Sequence, residues 1–239
     1  MLAITRSNEM KQIAVICLAT LSVAFAATIT IDADTGDWSG YPVQNFGTVA
    51  DPDGGSYSLS STYDDTSLFF SVDRTQSSRV LGETAWDNDS FFLAFDLDGI
   101  DGSGASLDGY QRVNFTGDKR PDFIAYFAGG TSWFESSTWN GTEWTWNGWN
   151  DGSGSGVNVA YGADYDEISF NLGTLSLLES DSVSVWAWMT RESNGWKEAG
   201  WGVPTGGDVY AGDGLTVTVP EPASLALLAL GAVLNRKRR

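Results

Sequence analysis

Between Thr28 and Val219 the chain alternates apolar and polar residues in short runs. Ser67-Leu68-Phe69-Phe70-Ser71-Val72-Asp73 sets Leu68, Phe70 and Val72 on one side of an extended segment. Ser90-Phe91-Phe92-Leu93-Ala94-Phe95-Asp96 does the same with Phe91, Leu93 and Phe95. Glu167-Ile168-Ser169-Phe170-Asn171-Leu172 repeats the pattern with Ile168, Phe170 and Leu172. Thr28-Ile29-Thr30-Ile31 opens the series and Leu215-Thr216-Val217-Thr218-Val219 closes it. Period-two runs parted by Gly, Asp, Ser and Asn clusters mark strands with one buried face. The 28 glycines suit tight turns. The pattern predicts an all-β domain over 27–218, an antiparallel, jelly-roll-like β-sandwich. Its one helical candidate is short, at 172–178. Gly152-Ser153-Gly154-Ser155-Gly156 reads as a flexible loop between strands.

Both ends break the alternation. Lys11 precedes an apolar stretch at 13–19, followed by Leu21-Ser22-Val23-Ala24-Phe25-Ala26. Ala24 and Ala26 satisfy the small-x-small cleavage rule, so 1–26 reads as a signal peptide, an apolar helix cut after Ala26. Met10 is an alternative start. Cys17, the single cysteine, lies in this leader, which leaves the mature chain no disulfide or thiolate chemistry. At the other end, over 219–239, Pro220-Glu221-Pro222 precedes a greasy run at 223–234 and the bases Arg236, Lys237, Arg238 and Arg239. As a helix that run rises about 18 Å, against a bilayer core about 30 Å thick. It is suited to hold a tail in the inner membrane transiently, bases on the cytoplasmic side. The two prolines keep the segment before it extended and non-helical.

The three-part order of this tail resembles the PEP-CTERM sorting signal of Gram-negative bacteria. The resemblance implies export through the secretion translocon, recognition of the tail by an exosortase, and delivery to the cell surface or an extracellular polymer.

Charge narrows the partners. Formal net charge is −18, from 13 Lys and Arg against 31 Asp and Glu. Six of the bases but only two of the acids, Glu9 and Glu221, lie in the two ends, so the middle holds 7 bases and 29 acids. Such a surface repels nucleic acid, whose binding rests on Lys and Arg, and attracts divalent cations. There is no histidine, which removes the usual general base and the commonest metal ligand.

Two clusters carry candidate chemistry. In Phe95-Asp96-Leu97-Asp98-Gly99-Ile100-Asp101-Gly102-Ser103-Gly104 a strand ends and three carboxylates crowd a glycine turn. Asp96, Asp98 and Asp101, with Asp108 further on, are oxygen ligands of the kind calcium takes. Ile100 stands where an EF-hand loop needs an oxygen, so this is no EF-hand. A solvated acidic turn is the bland alternative. The second cluster holds five of the 11 tryptophans: Trp133, Trp139, Trp144, Trp146 and Trp149. Sugar rings stack their C–H faces on indole, and neighbouring Asn, Glu and Thr bind hydroxyls. Trp144 and Trp146 share a face of any strand here and read as core fillers. Trp133, Trp139 and Trp149 read as the carbohydrate-binding set, for a polysaccharide partner. One face of Trp186 and Trp188 against Val185, Ala187 and Met189 meets the core, and the pattern does not say which.

Further motifs carry a second resemblance. Thr28-Ile29-Thr30-Ile31-Asp32-Ala33-Asp34-Thr35-Gly36-Asp37-Trp38, then Tyr63-Asp64-Asp65-Thr66-Ser67-Leu68-Phe69-Phe70-Ser71-Val72, then Asn88-Asp89-Ser90 resemble signatures of family 9 carbohydrate-binding modules and DOMON-like domains. Ala33 stands at the usual Gly. The resemblance implies a β-sandwich whose early Trp caps the core. Two other readings stay open: a structural matrix protein with no discrete ligand, and a glycosidase. The latter needs two carboxylates about 5–10 Å apart, and Glu135, Glu143, Glu167 and Glu192 are available without a marked pair.

Overall fold

The computed structural model describes residues 29–50, 54–76, 90–110, 113–127, 133–150, 155–177, 182–190, 197–201, 209–210 and 212–219, with backbone alone at 149–150, 197–199 and 209–210. The leader with Cys17, Ala24 and Ala26, the tail with Pro220, Glu221 and Pro222, and Glu192 lie outside the described residues, as do both flanking helices expected from the sequence. Among the described residues no helix is long and apolar enough to cross a membrane.

The strands are β1 (Gln44–Ala50), β2 (Ser56–Tyr63), β3 (Ser67–Asp73), β4 (Ser90–Asp96), β5 (Asn114–Phe115), β6 (Phe123–Phe127), β7 (Phe134–Trp139), β8 (Trp144–Asn150), β9 (Val157–Tyr161), β10 (Tyr165–Asn171), β11 (Ser182–Thr190), β12 (Lys197–Trp201), β13 (Val209–Tyr210) and β14 (Leu215–Thr218). The smaller sheet runs β1-β2-β3-β10-β9. The larger runs β12-β11-β4-β6-β7-β8, with β14 beside the first half of β11. All pairs in both sheets are antiparallel, and β5 with β13 forms a separate parallel pair. The Ser/Gly run at 152–156, expected as a loop, lies between β8 in one sheet and β9 in the other, and its part up to Gly154 is outside the described residues.

Alternation decides what lies between the sheets. Leu68, Phe70 and Val72, Phe91, Leu93 and Phe95, and Ile168 and Phe170 are all fully buried in one cluster. Their rings meet edge to face, with Phe95 and Phe170 5.2 Å apart at 71° and Phe70 and Phe95 6.0 Å apart at 72°, a favoured aromatic arrangement. Val185, Ala187 and Met189 point into this core. Trp186 and Trp188 point the other way and are buried too, so both faces of β11 are covered.

Two expectations about secondary structure fail, for local causes. Leu172, Leu175 and Leu177 are drawn into the core, and Ser176 takes a left-handed φ of 54°. Residues 172–177 are therefore consecutive turns rather than a helix. Ile29–Ile31 is no strand either. It is the start of a covering segment that lies on the outer face of the smaller sheet, where Ile29 and Trp38 pack on Phe69. A short 3₁₀ helix, Thr35–Trp38, is capped by the Asp34 carboxylate, which accepts from the Gly36 N–H.

One carboxylate pins this segment. Glu167 Oε2 accepts from the N–H groups of Asp32 (3.0 Å), Ala33 (2.8 Å) and Asp34 (3.2 Å), and Oε1 accepts from Trp38 Nε1 (2.8 Å). Burial pushes the Glu167 carboxyl up, and these four donors pull it back. Three successive N–H groups converge on one oxygen only if the backbone curls, and Ala33 does so at φ 65°. That is the conformation a glycine adopts freely. Beside it, Arg74 forms a buried ion pair with Asp166 at 2.9 Å and donates to the Gly162 carbonyl.

Candidate functional site: the aromatic face of the larger sheet

The β7–β8 hairpin builds the face. Its register sets Trp139 opposite Trp144, Thr138 opposite Thr145 and Ser137 opposite Trp146, and a bulge follows at Ser136. Gly148, with φ 100°, supplies the conformation at that irregularity. Phe134 goes inward to the core, so Glu135, Ser137 and Trp139 face outward with Trp144 and Trp146. The Trp139 and Trp144 rings meet edge to face at 5.7 Å. Trp144 Nε1 donates to the Leu107 carbonyl at 2.8 Å, which ties the hairpin to the segment covering this face.

The same face continues inward across the sheet. Register places Trp188, Phe92, Tyr126 and Glu135 in one row across β11, β4, β6 and β7. Trp188 stacks on Phe92 at 4.8 Å with planes 6° apart, and Phe92 lies 4.7 Å from Tyr126. Tyr110, from the covering segment, closes edge-on over Phe92 and Tyr126. The inner end is a small core of Phe92, Ala94, Val113, Phe115, Ile124, Trp186 and Trp188. The outer end is open: Tyr110 is 39% exposed, Trp133 49% and Trp146 59%. Between them Glu135 is half-buried and accepts from Trp146 Nε1 at 3.2 Å. Burial pushes its carboxyl up and the indole N–H opposes that. The result is an apolar platform with one oriented acceptor at its centre.

Of the expected sugar-binding residues, Trp133 is exposed and stands two residues before Glu135. Trp139 is half-buried in the edge-to-face pair. Trp149 stands in β8 opposite Glu135, and its side chain is outside the described set. Trp146, expected in the core, is instead the most exposed tryptophan among the described residues. The shared face of Trp144 and Trp146 is real, but it is the outer one. Alternation told which residues go together, and only the identity of the buried neighbour, Phe134, tells which side is inside.

The acidic turn sits at the end of β4. Gly99 (φ 64°) and Gly102 (φ 76°) curl the chain. Gly104 lies so close to 118–122 that an added Cβ would stand 2.2 Å from the Arg120 carbonyl oxygen. This packing brings in a residue the sequence reading missed. Asp96, Asp98 and Asp122 gather with oxygens all within 4.8 Å of one another. Asp122 accepts from the N–H groups of Leu97 (3.0 Å) and Asp98 (3.2 Å). Its signal was long-range, through pairing of β4 with β6, and no local spacing shows it.

Asp101 and Asp108 have other occupations. Asp101 pairs with Lys119 at 2.8 Å, and Lys119 also donates to the Gly99 carbonyl. Asp108 is buried and accepts from Val113 N (2.7 Å) and Tyr110 N (3.3 Å), which shapes the covering segment. Burial, reinforced by Asp122 and Asp98, pushes Asp96 up to about 6 against the Gly99 N–H and Lys119. Three crowded carboxylates with only oxygen donors suit a hard cation such as calcium. Lys119 supplies part of the neutralising charge.

Residues 218–239 match the PEP-CTERM protein-sorting motif. The motif marks the chain as an exported protein handled by a sorting system, and it covers only the tail. No curated protein matches the chain. Among solved structures it is similar to a family 9 carbohydrate-binding module from Caldicellulosiruptor kristjanssonii in complex with cellotriose. Identity is 11% and the TM-score 0.39, over 73% of this chain and 78% of that one. A likeness so distant carries no ligand from that protein to this one.

Proposed function

We propose that the chain is an exported β-sandwich that binds uncharged carbohydrate on the outer face of its larger sheet, outside the cell. The observation that carries this reading is the exposed indole of Trp146, fixed by its bond to half-buried Glu135, whose cross-strand neighbour is Tyr126. A flat apolar ring next to an oriented acceptor recognises a sugar by its C–H face and its hydroxyls together. The acidic surface disfavours anionic polymers, which leaves neutral glycan of an extracellular matrix as the partner. Glu135 and Glu167 lie on the outer faces of different sheets, so they form no hydrolytic pair.

In this reading the tail holds the chain transiently in the inner membrane of a Gram-negative cell, and an exosortase removes it. Calcium at Asp96, Asp98 and Asp122 stiffens the turn at the end of β4 without touching the sugar. The test is an array of neutral glycans probed with the full chain, with and without a chelator. The expected outcome is a neutral hit that Trp146→Ala weakens about tenfold, or about 1.4 kcal/mol, while the chelator changes stability more than affinity. No hit on any neutral glycan would leave the chain a matrix protein without a discrete ligand.

A further inference from the structure

The outer face of the smaller sheet carries a groove of about 560 Å³, lined among others by Tyr41, Ser58, Ser60, Ser71, Asp73 and Tyr165. That volume is within the range of small-molecule sites. Its floor follows from register. Ser58, Asp73 and Tyr165 stand in one row across β2, β3 and β10, and Ser60, Ser71 and Glu167 in the next. The run Ser56-Tyr57-Ser58-Leu59-Ser60 explains the chemistry. Tyr57 and Leu59 are fully buried in the core, so the alternating serines take the outer face, and Ser58 and Ser60 line the groove. We propose that this groove is a second site for an uncharged sugar, so that one molecule holds two glycan chains on opposite sides. The proposal rests on the reading of the larger sheet as a glycan-binding face.

Three observations point to this ligand. Ser71 is 3% exposed, lines the groove, and its Oγ has no hydrogen-bond partner. Buried hydroxyls without a partner are rare in folded proteins. Its cross-strand neighbour Glu167 already accepts four donors from the covering segment. A hydroxyl can both donate and accept, which a sugar hydroxyl answers in either direction.

Charge excludes acidic ligands. Among the described residues no Lys or Arg lines the groove. Burial and then Asp64, Asp37 and Asp65 raise the Tyr41 hydroxyl, while burial and then Asp73, Asp164 and Asp34 raise Tyr165. Both tyrosines therefore stay neutral in a negative field that repels uronates, sulfates and phosphates. The shape supports a ring ligand. Tyr41 and Tyr165 are half-buried and offer aromatic surface, and Asp73 keeps an oxygen beyond the one that takes the Thr75 N–H at 2.8 Å.

The groove and the Trp146 platform belong to different layers of the sandwich and face away from each other. A single glycan residue cannot occupy both. Two sites on one rigid body cross-link separate polymer chains, with avidity that neither site has alone.

The experiment measures stoichiometry and bridging with the full chain, using neutral gluco-, manno-, galacto- and xylo-oligosaccharides and their parent polysaccharides. A hit that binds at two equivalents, falling to one in Trp146→Ala and to one in Ser71→Ala or the groove-filling Ser58→Tyr, supports the proposal. The double variant then loses both, and each single variant loses polysaccharide cross-linking while keeping its fold by circular dichroism. One equivalent in the parent chain, unchanged by Ser71→Ala and Ser58→Tyr, overturns the second site and leaves the first standing. No binding of any neutral sugar overturns both. A groove that takes oligogalacturonate as well as neutral sugar also overturns the proposal.

Discussion

On the larger sheet the outward positions of β4, β6, β8 and β11 hold Phe92, Tyr126, Trp146 and Trp188. On the smaller sheet the outward positions of β2 and β3 hold Ser58, Ser60, Ser71 and Asp73. Each face is partly roofed by one irregular segment. Ring packing and the Trp144–Leu107 bond hold the roof of the larger sheet, and the Glu167 carboxylate holds that of the smaller. The difference teaches how an outer face advertises a site. Indoles left uncovered are costly to hydrate, so an exposed Trp146 stands out at once. Serines are at ease in water, so the hydroxyl face is marked only by its concavity and by one buried oxygen left unpaired.

Two substitutions set ring packing under the roof of the larger sheet against a buried charge pair on the inward side of β10, with losses of similar size expected. Trp188→Ala removes a ring stacked on Phe92 and is expected to cost about 3–5 kcal/mol. Asp166→Ala on the other side strands the buried Arg74 guanidinium and is expected to cost a similar 3–5 kcal/mol. Urea unfolding measures both. A smaller loss from Asp166→Ala would show that the ion pair is dispensable and that packing alone holds the smaller sheet.

Glu167→Gln keeps the shape of the pin but removes its charge. The expected loss is about 1.5–3 kcal/mol, accompanied by faster hydrogen exchange at Asp32, Ala33 and Asp34. Exchange unchanged at those three amides would mean that Ile29 and Trp38 hold the roof by packing.

Acid–base behaviour separates the two sheets next. Burial pushes Asp166 in the smaller sheet up to about 7 and Asp96 at the end of the larger up to about 6. Both values lie above the unfolded carboxylate range near 4. The folded state therefore keeps protons that the unfolded chain releases, and stability is fullest below about pH 4 from these groups. It falls as pH rises through about 6 and 7, by at most about 1.4 kcal/mol per pH unit for each proton. If calcium binds Asp96, Asp98 and Asp122 as proposed, it competes with the proton on Asp96 and should raise the melting temperature at pH 7.5 and much less at pH 5. Asp122→Asn should erase that calcium effect, and Asp101→Asn should leave it.

The smallest expected effect is a gain. Ala33→Gly relieves a left-handed alanine at the pin and should stabilise the chain by about 0.5–1 kcal/mol. A loss would show that the Ala33 methyl packs usefully.

Much of the sandwich was legible because alternation is local. The inward triads of β3 and β4, and the inward pair Ile168 and Phe170 of β10, follow from period two alone. β2 was missed because a serine-rich run has few apolar markers, although Tyr57 and Leu59 keep the period. Ile29–Ile31 was misread because alternation also suits a segment lying against a sheet. The site divides the same way. The shared face of Trp144 and Trp146 could be read from spacing. Asp122, Glu135 beside Trp146, and the groove at Ser71 depend on which strands become neighbours, and no short stretch encodes that.

The central claim is that the uncovered indole of Trp146 is a sugar platform. Its most direct check is a titration of the full chain with the neutral oligosaccharide that binds it, followed by tryptophan emission and by affinity. The account predicts a saturable shift to shorter wavelength that Trp146→Ala abolishes, with stability changed by less than about 0.5 kcal/mol. The same shift and the same affinity in Trp146→Ala would contradict it.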